Sequence, residues 1–188
     1  MRISWPPKPL GLGPLFNLVT LSRETRPLLI RSWWLIPVLG LATALGMIGA
    51  DQLFFGGATM SRTPSLSSHP PIGNRVLVAL IGSLGEELVF RVVIATITAW
   101  VIYFLLRFVV AEPKRPAQWI SVFAAAIGVG LMHVSQVGNP ADFWRIMTVN
   151  VIGHSVYGFL YWTRGFEVAV LTHVIVTSLL YIGVPALR

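Results

Sequence analysis

One apolar run, from Arg75 to Ala111, is interrupted only by Glu86, Glu87, Arg91 and Arg107. It is longer than the roughly 20 residues that a helix needs to span a bilayer. Across the whole chain 55% of the residues are hydrophobic and only 11% are charged, whereas soluble domains carry about 25% charged residues. These features predict an all-α fold, a multispanning transmembrane helical bundle.

The number of spans depends on how often this long run crosses the membrane. The other apolar runs are Trp33 to Ala50, Ala117 to Gln136, Phe143 to Thr163 and Glu167 to Val184. A single crossing of 75–111 leaves Lys114, Arg115 and Arg164 on the same side as the basic N-terminus, which agrees with the positive-inside rule. We therefore expect one long, tilted or kinked helix and five spans, with two crossings and six spans as the alternative.

Composition divides the chain into two parts. Residues 1–31 contain five basic residues and one acid, Glu24, and are predicted to form a cytoplasmic segment. Residues 32–188 are predicted to form a single transmembrane helical domain. Within it, Asp51 to Asn74 is rich in Gly, Ser and Pro and is predicted to be a flexible loop.

The formal net charge of +7 does not indicate a nucleic-acid partner. The basic residues flank apolar spans, where they anchor the topology and can contact anionic lipid headgroups. We therefore expect membrane lipid as a partner and no nucleic acid. The chain has no cysteine, which excludes disulfides, thiol nucleophiles and thiolate metal ligands, so any metal would have to be held by His and carboxylate.

Two adjacent carboxylates, Glu86 and Glu87, lie in the middle of the long apolar run. A charged side chain at this depth costs a few kcal/mol even on insertion scales, so it is rarely without a role. Arg91 follows Glu87 by four residues, which places both on one helical face and predicts an ion pair. Glu86 points about 100° away and has no partner in its own helix. We therefore expect Glu86 to be the candidate general base.

Three of the four histidines fall inside predicted spans, each on a different span: His133, His154 and His173. Together with the two glutamates they predict one polar site at the centre of the bundle. His154 shares a helical face with further polar residues, for which we expect interhelical hydrogen bonding, with a pocket-lining role as the alternative. These residues are Asn150, Tyr157 and Tyr161.

Three short motifs occur in order along the spans. They are Glu86-Glu87-Leu88-Val89-Phe90-Arg91, then Val129-Gly130-Leu131-Met132-His133, then His173-Val174-Ile175-Val176-Thr177. The set resembles the CAAX prenyl protease and bacteriocin-processing (CPBP, Abi) family of intramembrane proteases, which includes the Rce1-type CAAX endopeptidases. The family-like core covers about residues 75–185. This chain departs from the family pattern in having Val129 for Phe and Thr177 for Asn.

The resemblance implies an intramembrane endopeptidase that hydrolyses a peptide bond with an activated water. By this resemblance, Glu86 and His133 would activate the water, and His173 and Thr177 would stabilise the oxyanion. Loss of an oxyanion donor costs about 10²–10³ in rate in other enzymes. The shorter Thr177 side chain therefore bears directly on activity.

The resemblance also assigns supporting roles, structural or substrate-positioning, to Glu87 and Arg91. It implies a glutamate-type mechanism without a metal cofactor. Zinc is the alternative, with Glu86, His133 and His173 as a two-histidine, one-carboxylate ligand set. The chain has no His-Glu-x-x-His motif, the stronger signal for a zinc protease.

Other functions stay open at the level of sequence. A catalytically weak relative could act as a membrane regulatory or bacteriocin-immunity protein, which the threonine at 177 favours. A small transporter or proton relay also uses buried Glu and His, but the chain shows no internal repeat. The expected substrate is a peptide or membrane protein, and the motifs leave its prenylation open. The expected location is the cell membrane, as a multi-pass protein, and the compact chain favours a bacterial inner membrane.

Overall fold

A computed structural model describes residues 33–56, 71–134 and 140–183. Five helices account for most of these residues, and no strand occurs among them. The helices are α1 (Leu35–Phe55), α2 (Ile72–Leu106), α3 (Lys114–Val134), α4 (Pro140–Arg164) and α5 (Phe166–Gly183). The predicted all-α helical bundle is confirmed, and the basic segment 1–31 lies outside the described residues.

Four helices, α1, α2, α3 and α5, are long and apolar enough to cross a membrane, which identifies a membrane protein. The long apolar run forms one continuous helix, α2, up to Leu106, as expected for a single crossing. Helix α4, predicted as the fourth of the five spans, has 25 residues but is not among these four helices. Its hydropathy is lowered by Asp142, Arg145, Asn150, His154 and Arg164.

Helix α2 buries a stripe of side chains that repeats every four residues. The stripe consists of Ala79, Ser83, Glu87, Arg91, Ala95 and Ala99. In an α-helix a four-residue step overshoots one turn by roughly 40°, so five steps would rotate the stripe by roughly 200°. Wider π-helical turns at Val78–Gly82 and Leu88–Ala95 offset this drift. They keep the two ends of the stripe, and the carboxylates between them, facing the bundle.

The other helices pack around a core formed by α1, α4 and α5. Its buried members include Ala44 from α1, Tyr157 and Leu160 from α4, and Ala169 and Val176 from α5. Small residues allow close approach of the backbones. At Gly40 of α1, for example, an added Cβ would lie 2.7 Å from a side-chain carbon of Ile175. The turn between α4 and α5 is formed by Gly165, whose φ of 106° favours glycine.

The predicted loop at Asp51 to Asn74 is wrong at both ends. Helix α1 continues to Phe55, and α2 already begins at Ile72. The carboxylate of Asp51 is buried and lies 3.7 Å from the guanidinium of Arg145 in α4. This contact with a distant helix stabilises the extra turn, since a buried acid needs a partner. Residues 57–70 lie outside the described residues.

Candidate active site

The innermost part of the site is an ion pair within α2. Arg91 Nε donates to Glu87 Oε2 over 3.0 Å, and both side chains are fully buried. The four-residue spacing of Glu87 and Arg91 predicted this ion pair. Glu87 Oε1 also lies 3.1 Å from Nδ1 of His173 in α5. Since a carboxylate only accepts, His173 Nδ1 carries the donated proton.

Glu86 lies on the outer side of this ion pair and is 27% exposed. Its carboxylate is surrounded by histidines from three other helices. Oε1 is 3.9 Å from Nε2 of His133, while Oε2 is 3.4 Å from Nε2 of His154 and 4.0 Å from Nε2 of His173. The structure therefore brings all three intramembrane histidines and both glutamates into one polar cluster.

His133 lies near the C-terminal end of α3 and is about as exposed as Glu86, at 24%. Its Nδ1 is 2.9 Å from the backbone carbonyl of Val129. The carbonyl can only accept, so Nδ1 carries the proton, and Nε2 of the neutral ring is an acceptor. Two acceptor atoms, Glu86 Oε1 and His133 Nε2, thus face each other on the accessible side of the cluster.

The ring of His173 is held by a stacking contact on one face and by a hydrogen bond at its edge. The ring stacks on Tyr157 of α4 at a centroid distance of 4.3 Å and an interplanar angle of 18°, and Nδ1 bonds Glu87. These contacts direct Nε2 towards the carboxylate of Glu86. The orientation of His173 is therefore set by α2 and α4 together.

Thr177 lies one turn beyond His173 in α5, and its hydroxyl contacts the hydroxyl of Ser83 in α2. Ser83 Oγ donates to Thr177 Oγ1 over 3.1 Å. A threonine hydroxyl that accepts this bond still has its own proton to donate. Ser83 was not singled out from the sequence, although its place in the four-residue stripe of α2 was a signal for it.

His154 is more central to the site than its sequence pattern indicated. It matches none of the three motifs, yet its buried ring lies between Arg91 and Glu86. Arg91 Nη2 is 2.9 Å from His154 Nδ1 and also 2.9 Å from the His154 backbone oxygen. A guanidinium has no acceptor, so Nδ1 accepts and the proton of the neutral ring lies on Nε2. His154 therefore presents an N–H to Glu86.

The polar stripe around His154 behaves only partly as predicted. Tyr161 makes the expected interhelical contact, with its hydroxyl 2.9 Å from the hydroxyl of Thr96 in α2. Asn150 instead donates to the backbone oxygen of Ile146 in its own helix over 2.9 Å. Its rotamer satisfies the amide locally, and Asn150 makes no side-chain bond to another helix among the residues that the structure describes.

A metal ion would find ligand atoms here, but in a different set from the predicted one. Among the described residues, atoms of Glu86, His154 and His173 lie within 4.8 Å of one another, and His133 is not part of this group. The chemistry of His154 argues against a three-ligand site. Ligation through Nε2 would move its proton to Nδ1, against the donor Nη2 of Arg91. Without His154 the close group keeps two ligands, Glu86 and His173, one fewer than the three protein ligands of a catalytic zinc site.

Comparison with known proteins places this chain in a family. The family described as type II CAAX prenyl endopeptidase Rce1-like matches the chain over residues 68–179, a segment that contains all three motifs. No curated protein and no solved structure matches the chain. The matched segment covers more than half of the chain and includes the whole polar cluster. The chain therefore belongs to the Rce1-like family of type II CAAX prenyl endopeptidases.

Proposed function

We propose that this protein is an intramembrane endopeptidase in which Glu86 and His133 activate a water molecule for attack on a peptide bond. The observation that carries the proposal is the pair of facing acceptors, Glu86 Oε1 and His133 Nε2, 3.9 Å apart. Both side chains are partly accessible, whereas the ion pair beneath them is sealed. A water that donates one proton to each acceptor, over about 2.8 Å, bridges such a gap.

The reaction then needs two proton transfers, one from the water to Glu86 and one from Glu86 to the leaving amide nitrogen. Glu86 takes a proton as the water oxygen forms a bond to the carbonyl carbon, and the carbonyl oxygen becomes the oxyanion. Glu86 returns the proton to the amide nitrogen as the carbon–nitrogen bond breaks. The products are a carboxylic acid and an amine, so the carboxylate ends the cycle in its starting form.

His173 and Thr177 are the oxyanion donors in this mechanism. His173 donates through Nε2 only when its ring carries a second proton, since Nδ1 already donates to Glu87. Thr177 can donate its remaining hydroxyl proton, with Ser83 holding the oxygen in place.

The mechanism requires no metal, and the substrate is a peptide or protein in the membrane. Family membership supports a CAAX-type substrate, which carries a lipid near its C-terminus. The competing function is that of a weakly active relative with a regulatory or immunity role. The observation that favours it is Thr177, whose side chain is shorter than the asparagine of the motif.

Peptide cleavage tests the proposal. Purified protein in detergent is incubated with quenched fluorescent peptides, prenylated and unprenylated, with and without a chelator. We expect turnover by the wild-type protein that the chelator leaves unchanged and that the Glu86→Gln variant lacks. Loss of turnover on chelation would contradict the metal-free mechanism. Absence of turnover with every peptide, together with a biological effect that survives in Glu86→Gln, would favour the regulatory relative.

Thr177 provides a separate prediction about the oxyanion. The Thr177→Val variant keeps the shape of the side chain but removes the hydroxyl, so we expect kcat to fall about 10²–10³-fold. Thr177→Ser keeps a donor and should retain most of the rate. Thr172→Val is the matched control, because the buried Thr172 hydroxyl bonds the Val168 carbonyl of its own helix and no other described residue. Equal rates for Thr177→Val and wild type would remove Thr177 from the mechanism.

A further inference from the structure

His154 connects the sealed ion pair to the accessible carboxylate, although it comes from α4 and lies outside the three motifs. Its side chain is 4% exposed. On one side Arg91 Nη2 donates to both Nδ1 and the backbone oxygen of His154. On the other side Nε2 lies 3.4 Å from Glu86 Oε2. No other described residue touches both Arg91 and Glu86 in this way.

We propose that His154 is a positioning residue that holds Oε2 of Glu86 through an Nε2–H donor, with its tautomer fixed by Arg91. This inference rests on the proposed function, because it assigns how the general base is oriented. With Oε2 held, Oε1 remains directed at His133, where the bridging water is bound. A carboxylate left free to rotate would populate this geometry only part of the time, and misplacement of a reacting group by about 1 Å can cost about 10²-fold in rate.

The neighbouring histidine cannot take over this role. Nε2 of His173 is also near Oε2, but at 4.0 Å, and in the neutral ring it is an acceptor because Nδ1 donates to Glu87. When His173 is doubly protonated, its Nε2–H is needed for the oxyanion. His154 is thus the donor that is available to Glu86 in every protonation state of His173.

The inference also gives the inner ion pair a function beyond stability. Glu87 fixes the guanidinium of Arg91, Arg91 fixes the tautomer of His154, and His154 fixes the base Glu86. The four side chains form one continuous set of contacts from the sealed interior to the accessible side of the site. At each step a donor faces an acceptor, over 3.0 Å from Arg91 to Glu87, 2.9 Å from Arg91 to Nδ1 of His154, and 3.4 Å from Nε2 of His154 to Glu86.

Three substitutions at His154 separate its two contacts. Glutamine keeps an acceptor for Arg91 and an N–H that can reach the position of Nε2. Asparagine keeps an acceptor near Nδ1 but is too short to reach Glu86. Phenylalanine keeps the ring and loses both contacts. We expect His154→Gln to retain kcat within about threefold, and His154→Asn to lose about 10–10²-fold in kcat with an unchanged KM.

The outcomes distinguish this inference from the proposed function. If wild type cleaves and Glu86→Gln does not, the proposed function holds, and the His154 variants then test only the positioning role. Equal kcat values for His154→Asn and His154→Gln, in proteins with the same melting temperature, would overturn it. A change confined to KM would also overturn it and assign His154 to substrate binding. His154→Phe reports the loss of both contacts, and a fall in kcat no larger than that of His154→Gln would contradict the proposal.

A measurement independent of activity tests the tautomer itself. Histidine labelled with ¹⁵N in the wild-type protein gives separate signals for protonated and unprotonated ring nitrogens, and the signal of His154 is assigned by its loss in His154→Asn. We expect protonated Nε2 and unprotonated Nδ1 for His154. The reverse tautomer would overturn the inference even if no peptide substrate had been found.

Discussion

The Glu86→Gln variant is expected to fold like the wild-type protein and to cleave peptide about 10²–10⁴-fold more slowly. The amide has the size of the carboxyl group, so it fills the same space among the three surrounding histidines. It is not basic, however, and cannot take a proton from the water. The measurement is kcat/KM for the fastest peptide of the panel, together with the melting temperature in the same detergent.

The control for Glu86→Gln removes a carboxylate elsewhere. Glu112 lies exposed between α2 and α3, so Glu112→Gln should leave both turnover and melting temperature unchanged. An active Glu86→Gln variant would contradict the assignment of Glu86 as the base. An inactive variant that also melts far below wild type would point to a structural role for Glu86. The contact between His154 and Glu86 would then be a contact that stabilises the fold.

Much of the fold could be predicted because the membrane restricts what a chain can do. Apolar runs of sufficient length become helices, since lipid offers no partner for backbone polar groups. The helical bundle could be predicted from this rule. The ion pair of Glu87 and Arg91 was equally accessible, because a spacing of four residues fixes both side chains on one face. Local spacing likewise predicts that Glu86 has no partner in its own helix.

The features that could not be predicted depend on contacts between distant helices. The rotation of α4 about its axis decides that His154, rather than Asn150, faces Arg91, and no local pattern sets this rotation. The end of α1 depends on Asp51 meeting Arg145, which lies in another helix. The π-helical turns of α2 were signalled by its four-residue stripe of small and polar residues, but only the bundle shows which face of α2 is buried.

The Glu87→Leu variant is expected to lose about 3–5 kcal/mol of stability, because it leaves the guanidinium of Arg91 buried without its carboxylate. Arg91 is fully buried, and its Nη1 already lacks a hydrogen-bond partner among the described residues. Replacing Glu87 also removes the acceptor for His173 Nδ1. Reversible unfolding in mixed micelles measures the loss, with Glu112→Leu as the control for adding an exposed leucine.

The double variant Glu87→Leu/Arg91→Leu tests whether the cost comes from the stranded charge. Removing both members of a buried ion pair is often far less destabilising than removing one. We therefore expect the double variant to recover part of the lost stability, though not all, because the backbone oxygen of His154 then loses its donor. If the double variant is less stable than Glu87→Leu, the isolated charge is not the main cost. The contacts of Arg91 with His154 then contribute more to stability than the ion pair itself.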